Sequence, residues 1–397
     1  MHYLGVCVIA KGEDKYIPEW IYYHVLAGVE HFIIYDNAAQ PVLEALLHDF
    51  VSEKLVEVVH WPHASAQLRA YQHCLSTFGK DFKWLGFWDA DEFVVPKDPE
   101  DIRAVLCDFE EYAGLAVSSM IYGSSGHLRS PGGLQIENYL GPVSPNQHIK
   151  TILQPLHAES PLSPHHFRYK SGRFCVAENG LPVGGPFSPH ASDRIRLNHY
   201  FFRSQEDWLR KMERGMAHPL ADGRTYSLDQ FREQLAWPDT SDTSMLPWAA
   251  RVRELTDQGA PAAAALAGAW AGLGGEQWVA GLRDMFPKLE QAMASGSPPG
   301  RELKAFFGLL PCYNPNNPYV YNVVSMFHRR TGAPERSWEW IRRSLMTDPT
   351  PEAYHELMLW YRDKGDRAQA DVVKGWLRTQ LEASGLMTDE WSRTLAN

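Results

Sequence analysis

The chain reads as an α/β protein, with a mostly parallel sheet in its N-terminal part and an α-helical domain at its C-terminal end. Strand-like and helix-like stretches alternate through the opening segment, the pattern of a sheet of nucleotide-binding type. Polar and acidic residues recur where those strands end, at Lys11-Gly12-Glu13, Asp36-Asn37 and Asp89-Ala90-Asp91. Open sheets of this kind bind ligands at the carboxyl ends of their strands. Near the other terminus, Tyr321, Val324, His328, Gly332, Ser337, Ile341 and Ser344 return as Tyr354, Leu357, Tyr361, Gly365, Ala370, Lys374 and Leu377, always 33 residues later. A fixed shift of that length is the mark of stacked helical hairpins.

The elements follow in order. Residues 3–9 form the first strand candidate. A helix over 18–27 comes next, with Pro18 in its first turn, where the missing N–H costs nothing, and Gly28 just past its end. Residues 30–35 form the second strand. A helix around 41–50 leads to a third strand at 55–60, and a helix over 65–77 precedes the apolar run 84–88. After Asp91 the alternation loosens. Strands are expected at 115–122, 173–176 and 194–200, separated by long loops such as 122–127 that carry ligand contacts in compact domains. Ser204 with Asp207 has the form of a capping box opening a helix through Arg214 to Gly215. Residues 240–300, rich in Ala, Gly, Ser and Pro, read as a partly helical connector. The expected domains are therefore 1–230, a connector at 231–300, and a helical domain at 301–397.

Composition narrows the function classes. The chain has 397 residues, 44% hydrophobic and 22% charged, enough for two or three soluble domains. Its net charge of −10 supplies no basic field, so nucleic acid is not an expected partner. No run approaches the roughly 20 apolar residues of a membrane span. The N-terminus reads as a strand rather than a leader peptide. The five cysteines, Cys7, Cys74, Cys107, Cys175 and Cys312, are odd in number and widely spaced, so they are expected to be reduced. That points to a cytoplasmic location, with peripheral attachment to the inner face of a membrane left open. There is no Gly-x-x-x-x-Gly-Lys phosphate loop and no Gly-x-Ser-x-Gly elbow. His157, His165 and His166 match no common zinc spacing.

The chemistry concentrates where Trp84-Leu85-Gly86-Phe87-Trp88 stops at Asp89-Ala90-Asp91-Glu92. On an extended chain Asp89 and Asp91 point to one side, with Ala90 and Glu92 on the other. Two carboxylates at a strand end repel one another unless a cation or donors offset them. Such a site suits Mn²⁺ or Mg²⁺, which also bind substrate phosphates, and the small Ala90 lets the backbone approach those phosphates. Asp36 is a candidate for a ribose or base contact, with a turn role beside Asn37 as the alternative. Arg69, on the helix after the third strand, is a candidate for base or phosphate contact against an ordinary exposed arginine. Lys211 and Arg214 share a helix face. They either neutralise a diphosphate or form a solvated basic surface.

The stretch Gly5 to Glu13, with Tyr16-Ile17-Pro18-Glu19-Trp20, Tyr23-His24, Gly28-Val29 and Ile34-Tyr35-Asp36-Asn37, resembles the opening of family 92 glycosyltransferases and their bacterial relatives. The resemblance resumes at Trp88–Phe93, at Tyr122-Gly123-Ser124-Ser125-Gly126-His127, and from Asn198-His199-Tyr200 through Lys211 to Gly215. Two departures are visible: Lys11-Gly12-Glu13 stands where the family commonly has Lys-Asn-Glu, and Ala38-Ala39 follows Asp36-Asn37 where Ser or Thr is frequent. The resemblance implies a GT-A fold and inverting transfer from a nucleotide sugar, usually a UDP-sugar, with Mn²⁺ or Mg²⁺. The residues expected to bind the nucleotide-sugar donor are Ala10, Glu13, Asp36, Arg69, Asp89, Ala90 and Lys211. The expected metal ligands are Asp89 and Asp91 with His199, which the resemblance places there as the third ligand, while Glu92, facing away from the pair by alternation, is expected to support them from behind. Inversion needs a base for the acceptor hydroxyl. Glu137 is the first candidate, ahead of Glu178 and Asp193.

The expected activity is transfer of a hexose such as galactose to a hydroxyl of a glycan or glycolipid. Two rival readings stand beside it. One is a non-catalytic interaction protein, built from tetratricopeptide-like repeats on an α/β scaffold. The other is a sugar nucleotidyltransferase, for which Lys11-Gly12-Glu13 is a poor version of the usual Gly-rich basic loop. Three roles stand open for the C-terminal helices: binding a protein partner, self-association, or shaping the acceptor cleft.

Overall fold

The computed structural model describes residues 1–98, 100–215, 225–238, 240–275 and 277–396. The described chain forms two compact units, Met1–Trp270 and Ala271–Asn397. The expected connector 231–300 is thus divided between them, and residues 216–224 of the expected first domain lie outside the described residues.

The first unit runs β1 (His2–Ala10), α1 (Ile17–Leu26), β2 (His31–Asp36), α2 (Leu43–Leu46), α3 (His48–Ser52), β3 (Val56–His60), α4 (Gln67–Phe78), β4 (Phe82–Phe87), β5 (Glu92–Pro96), α5 (Ile102–Leu106) and β6 (Gly114–Tyr122). It continues with α6 (Gln135–Asn138), β7 (Val143–Leu153), β8 (Ala158–Pro161), β9 (Phe167–Tyr169), β10 (Cys175–Ala177), β11 (Pro182–Val183), β12 (Ile195–His199), α7 (Gln205–Arg214), α8 (Leu228–Glu233) and α9 (Leu246–Gly268).

Among the described residues, ten strands make one mixed sheet in the order β11-β10-β6-β7-β4-β1-β2-β3, with β12 bridging β6 and β5. β1, β2, β3 and β4 are mutually parallel, as are β6 with β10 and with β12. β7 runs antiparallel between β4 and β6. The central strands are apolar on both faces because the sheet is covered on both. Cys7, Ile33, Phe87, Leu153, Tyr71 and Cys74 share one side of that core. All five cysteines are buried, and none is in a disulfide.

Three features depart from the expected pattern. The helix expected at 41–50 is broken into α2 and α3, because Leu47 leaves the helical region between them. The long antiparallel β7 lies where no strand was expected; its N-terminal half carries polar residues and Pro145, which hide the strand period. The apolar run 84–88 stops one residue early as a strand, since the Trp88 ring folds back onto Gly86, where a Cβ would collide with it.

The second unit is helical: α10 (Gln277–Ser295), α11 (Arg301–Tyr313), α12 (Pro318–Arg330), α13 (Pro334–Thr347), α14 (Pro351–Asp363), α15 (Arg367–Ala383) and α16 (Asp389–Thr394). The repeat is structural. α14 begins 33 residues after α12, and α15 begins 33 after α13. Each first helix ends at a left-handed glycine, Gly332 at φ 82° and Gly365 at φ 81°. Beyond each, the N–H of Ala333 or Asp366 donates back to the carbonyl of His328 or Tyr361, which closes the turn.

Candidate active site

The paired aspartates lie at the carboxyl end of β4, in a turn rather than on an extended strand. The Glu92 N–H donates to the Asp89 carbonyl at 3.0 Å, and the Asp89 N–H donates to Glu92 Oε2 at 2.8 Å. This corrects the expectation that Glu92 faces away. The turn brings its carboxylate back beneath the pair, where it is 2% exposed. β5 then pairs antiparallel with β12, placing His199 opposite Glu92, and the Tyr200 N–H donates to the Asp91 carbonyl at 2.8 Å. Strand register thus delivers His199 to the turn.

Each aspartate has its own cation. Lys150 Nζ lies 2.8 Å from Asp89 Oδ2 and 3.2 Å from Glu92 Oε2. Gln67 on α4 donates to the other Asp89 oxygen at 2.8 Å. Lys211 Nζ lies 2.9 Å from Asp91 Oδ2, donates to the Phe201 carbonyl at 3.0 Å, and sits over the Phe201 ring. Burial pushes both aspartates up, but the ammonium charges outweigh it. Lys150 holds Asp89 below the usual carboxylate range, and Lys211 with His199 holds Asp91 well below it. Glu92 ends up raised, because burial exceeds what Lys150 returns. Lys150 is 1% exposed; burial lowers it, and Asp89 with Glu92 lifts it well above its ordinary value.

The donor set fits a divalent ion in part. Asp91 Oδ1 and His199 Nε2 stand 3.4 Å apart, close to the separation of neighbouring ligands on an ion bound at about 2.1 Å. His199 Nδ1 faces Glu92 Oε1 at 3.5 Å, the arrangement in which a carboxylate orients a metal-bound imidazole. Among the described residues no three ligand-type side chains already converge on one point. Asp89 would join Asp91 and His199 only by turning from Lys150.

The other expected residues fall as follows. Ala10 ends β1, buried, and its carbonyl accepts from the Asn37 N–H. Glu13 is buried between Arg203, at 2.6 Å, and Arg214, at 2.5 Å. Asp36 is 1% exposed, and its carboxylate accepts from the N–H groups of Ala38, Val42 and Leu43 at 3.0, 2.7 and 2.9 Å. It shapes the loop at the end of β2. Arg69 is exposed on the first turn of α4. Lys211 and Arg214 both turn inward rather than forming a solvated face. Glu137 is not brought to the aspartates: its carboxylate accepts from the Leu134 N–H and pairs with Arg253 on α9. Glu178 is spent on the N–H groups of Asp193, Arg194 and Ile195.

Residues 2–130 match the family model of Glycosyltransferase family 92. The match covers β1 through the Asp89–Glu92 turn and stops before β7, α7 and His199. The chain is 25% identical over 267 residues to the glycosyltransferase family 92 protein RCOM_0530710 of Ricinus communis, covering 65% of this chain and 46% of that protein. It is 24% identical over 269 residues to the family 92 protein Os08g0121900 of Oryza sativa subsp. japonica, covering 65% and 43%. A shorter likeness, 26% over 132 residues, joins it to the galactan beta-1,4-galactosyltransferase GALS2 of Arabidopsis thaliana, covering 30% and 25%. The chain thus resembles family 92 glycosyltransferases, while spanning less than half the length of these relatives.

Two site residues carry little sequence signal. Lys150 is a lone cation inside the apolar run Ile149–Leu153, a clue once 143–153 is known to be a strand. Arg203 offers none. Its left-handed backbone, φ 52°, turns a buried guanidinium under the aspartate turn. There it pairs with Glu13, bonds Gln135 at 3.1 Å, reaches the Ala90 carbonyl at 3.5 Å and stacks on Tyr16.

Proposed function

We propose that the chain is an inverting, metal-dependent glycosyltransferase of GT-A fold that moves a hexose, galactose first among candidates, from a UDP-sugar to a hydroxyl of a glycan or glycolipid. The observation that carries this reading is the Asp89–Asp91 turn at a parallel strand's end, with His199 facing Asp91 and the cations Lys150, Lys211 and Arg214 around it. The family 92 match over the same strands and the galactosyltransferase named among the relatives support the class and the sugar.

In this reading the acceptor hydroxyl oxygen attacks the anomeric carbon and gives up its proton to solvent water, the bond from that carbon to the diphosphate oxygen breaks, and UDP leaves with the electron pair. Asp91 and His199, joined by Asp89, would hold Mn²⁺ or Mg²⁺, which supplies Lewis-acid stabilisation of the leaving diphosphate. Lys211, released from Asp91, would add a second positive charge on the same oxygens. Glu92 holds the His199 ring, and Arg203 fixes the turn through Ala90. The helical hairpins of the second unit, with their 33-residue step, favour a tetratricopeptide-like surface for a protein partner or for self-association.

Isothermal titration of the full chain with UDP, with and without Mn²⁺, tests the reading, and a donor panel scored by UDP or GDP release names the substrate. Metal-dependent UDP binding that is lost in Asp91→Asn, with the fold intact, is the expected result. Absence of any metal-dependent binding would sink it. Pyrophosphate release from UTP and a sugar phosphate would instead favour a nucleotidyltransferase.

A further inference from the structure

On β7, two residues from Lys150, begins a group of three rings that the roles above leave unused. The ring centroids of His148 and His165 are 4.9 Å apart, and the Phe187 ring lies 4.5 Å from that of His148. Phe187 is 56% exposed. Its backbone is pinned on both sides: the Ile149 N–H donates to the Pro186 carbonyl at 3.1 Å, and the Ser188 N–H donates to the Gln147 carbonyl at 3.0 Å. Burying a phenylalanine ring away from water is favourable. A fixed loop that keeps one in water forgoes much of that gain, and a ligand face placed over the ring would recover it.

The two imidazoles define what such a ligand offers. His165 Nδ1 donates to the Ile149 carbonyl at 2.9 Å. Asn146 Oδ1 accepts the His148 backbone N–H at 3.0 Å and faces His148 Nδ1 at 3.1 Å, so that nitrogen also donates. Burial first, then the Lys150 charge, hold His165 down at about 3. Burial, His199 and Lys150 lower His148 as well. Both rings are therefore neutral at pH 7, and each Nε2 keeps a lone pair. The wall has an apolar ring face, two hydrogen-bond acceptors and no positive charge on its rings. Lone pairs repel a phosphate oxygen and accept from a hydroxyl. A pyranose matches, with a C–H face for the ring and hydroxyls for the nitrogens. The wall also borders the aspartate turn, since Lys150, two residues along β7 from His148, bonds Asp89.

We propose that His148, His165 and Phe187 form a subsite for a sugar unit of the acceptor glycan, with the sugar's C–H face on Phe187 and its hydroxyls donating to the imidazole Nε2 atoms. This rests on the transferase reading for the identity of the second substrate.

The test uses the full chain and three tetrasaccharides as probes, of β-1,4-galactose, β-1,4-glucose and α-1,4-glucose. Binding is read by saturation-transfer NMR in the presence of UDP and Mn²⁺, with UDP affinity measured separately by titration. At least one tetrasaccharide should bind the wild type, with transfer concentrated on one ring. Phe187→Ala should weaken it at least tenfold, Phe187→Trp should keep it within threefold, and UDP affinity should stay within twofold in both. Because Phe187 is exposed, neither change threatens folding. Unchanged tetrasaccharide binding in Phe187→Ala overturns the proposal, as does a wild type that binds UDP but none of the three sugars. If UDP fails to bind while a tetrasaccharide binds through Phe187, the transferase reading falls and the sugar subsite stands.

Discussion

Replacing Lys150 by methionine removes a buried charge while keeping the side chain's length. The ammonium is 2.8 Å from Asp89 and 3.2 Å from Glu92, and its own side chain is 2% exposed. At an effective dielectric of about 20, an ion pair at that distance is worth about 6 kcal/mol before desolvation is subtracted. Breaking a buried pair from one side costs about 3–5 kcal/mol, because the partner charge stays behind. The Asp89 side chain is 33% exposed, so water rehydrates part of it and the lower end applies, about 3 kcal/mol.

The deficit of Lys150→Met should depend on pH with a definite sign. Glu92 already sits above its ordinary value in the wild type, through burial, with Lys150 opposing the rise. Without Lys150 it rises further, so the folded variant holds a proton that the unfolded chain has released. A raised carboxylate gives stability back as the pH falls through its folded value. The gap to the wild type should therefore narrow from about 3 kcal/mol at pH 8 to about 2 or less at pH 5.5. Hydrogen exchange of peptides covering 82–87 and 143–153 reads the opening free energy of β4 and β7 directly. A gap below about 1 kcal/mol at pH 8, or one that widens on acidification, would refute Lys150 as the counter-ion of this turn.

Three further outcomes follow from named groups. Glu19, buried and bonded to the Gln135 and Ile136 N–H groups, is raised to about 7, chiefly by burial; the N-terminal unit should lose about 3 kcal/mol between pH 4.5 and pH 7.5 through this group, a slope that Glu19→Gln removes in hydrogen exchange of α1. Glu137→Gln should leave donor turnover within about twofold, because that carboxylate serves Leu134 and Arg253; a thousandfold loss in a steady-state assay would restore Glu137 as the base. Gly365→Ala, at φ 81°, should cost about 1 kcal/mol in the thermal transition of the helical unit, and a neutral result would contradict the left-handed turn.

What the sequence makes legible here is local. Strands β1, β2 and β4 announce themselves because both faces are buried and the run is continuous. The N-cap at Ser204 is an arrangement of neighbours, with the Asp207 N–H donating to the serine oxygen and the serine hydroxyl donating to the Asp207 carboxylate, in place of the reciprocal backbone bond of the expected capping box. The 33-residue step is readable because the same turn must be made twice. Contacts across the chain are not written that way. Lys150 reaches Asp89 from 61 residues away and Arg203 reaches Glu13 from 190 away, and no local pattern encodes either. The alternation rule misplaces Glu92 because it assumes an extended chain, whereas the Asp89–Glu92 hydrogen bonds make a turn. Asp36 shows the converse: a carboxylate at a strand end draws a ligand reading, yet it faces three N–H groups of its own loop.

The charges around the turn bear on how a diphosphate would enter. Asp89, Asp91, Glu92 and Glu13 face Lys150, Lys211, Arg203 and Arg214. Taken as ionised groups, the four acids and four bases balance, so the packed site has no spare positive charge. A diphosphate arriving alone would have to pull Lys211 or Arg214 from its carboxylate and leave that carboxylate unpaired, at the cost of a broken buried pair. On the proposed reading, a divalent cation held by Asp91 and His199 would remove that cost. Asp91 would be engaged by the ion, Lys211, 2.9 Å from it in the packed site, would be released, and the site would become net positive for phosphate oxygens. By linkage, each ligand would then strengthen the other by the same factor. Lys211 would thus be the group that couples metal entry to diphosphate entry.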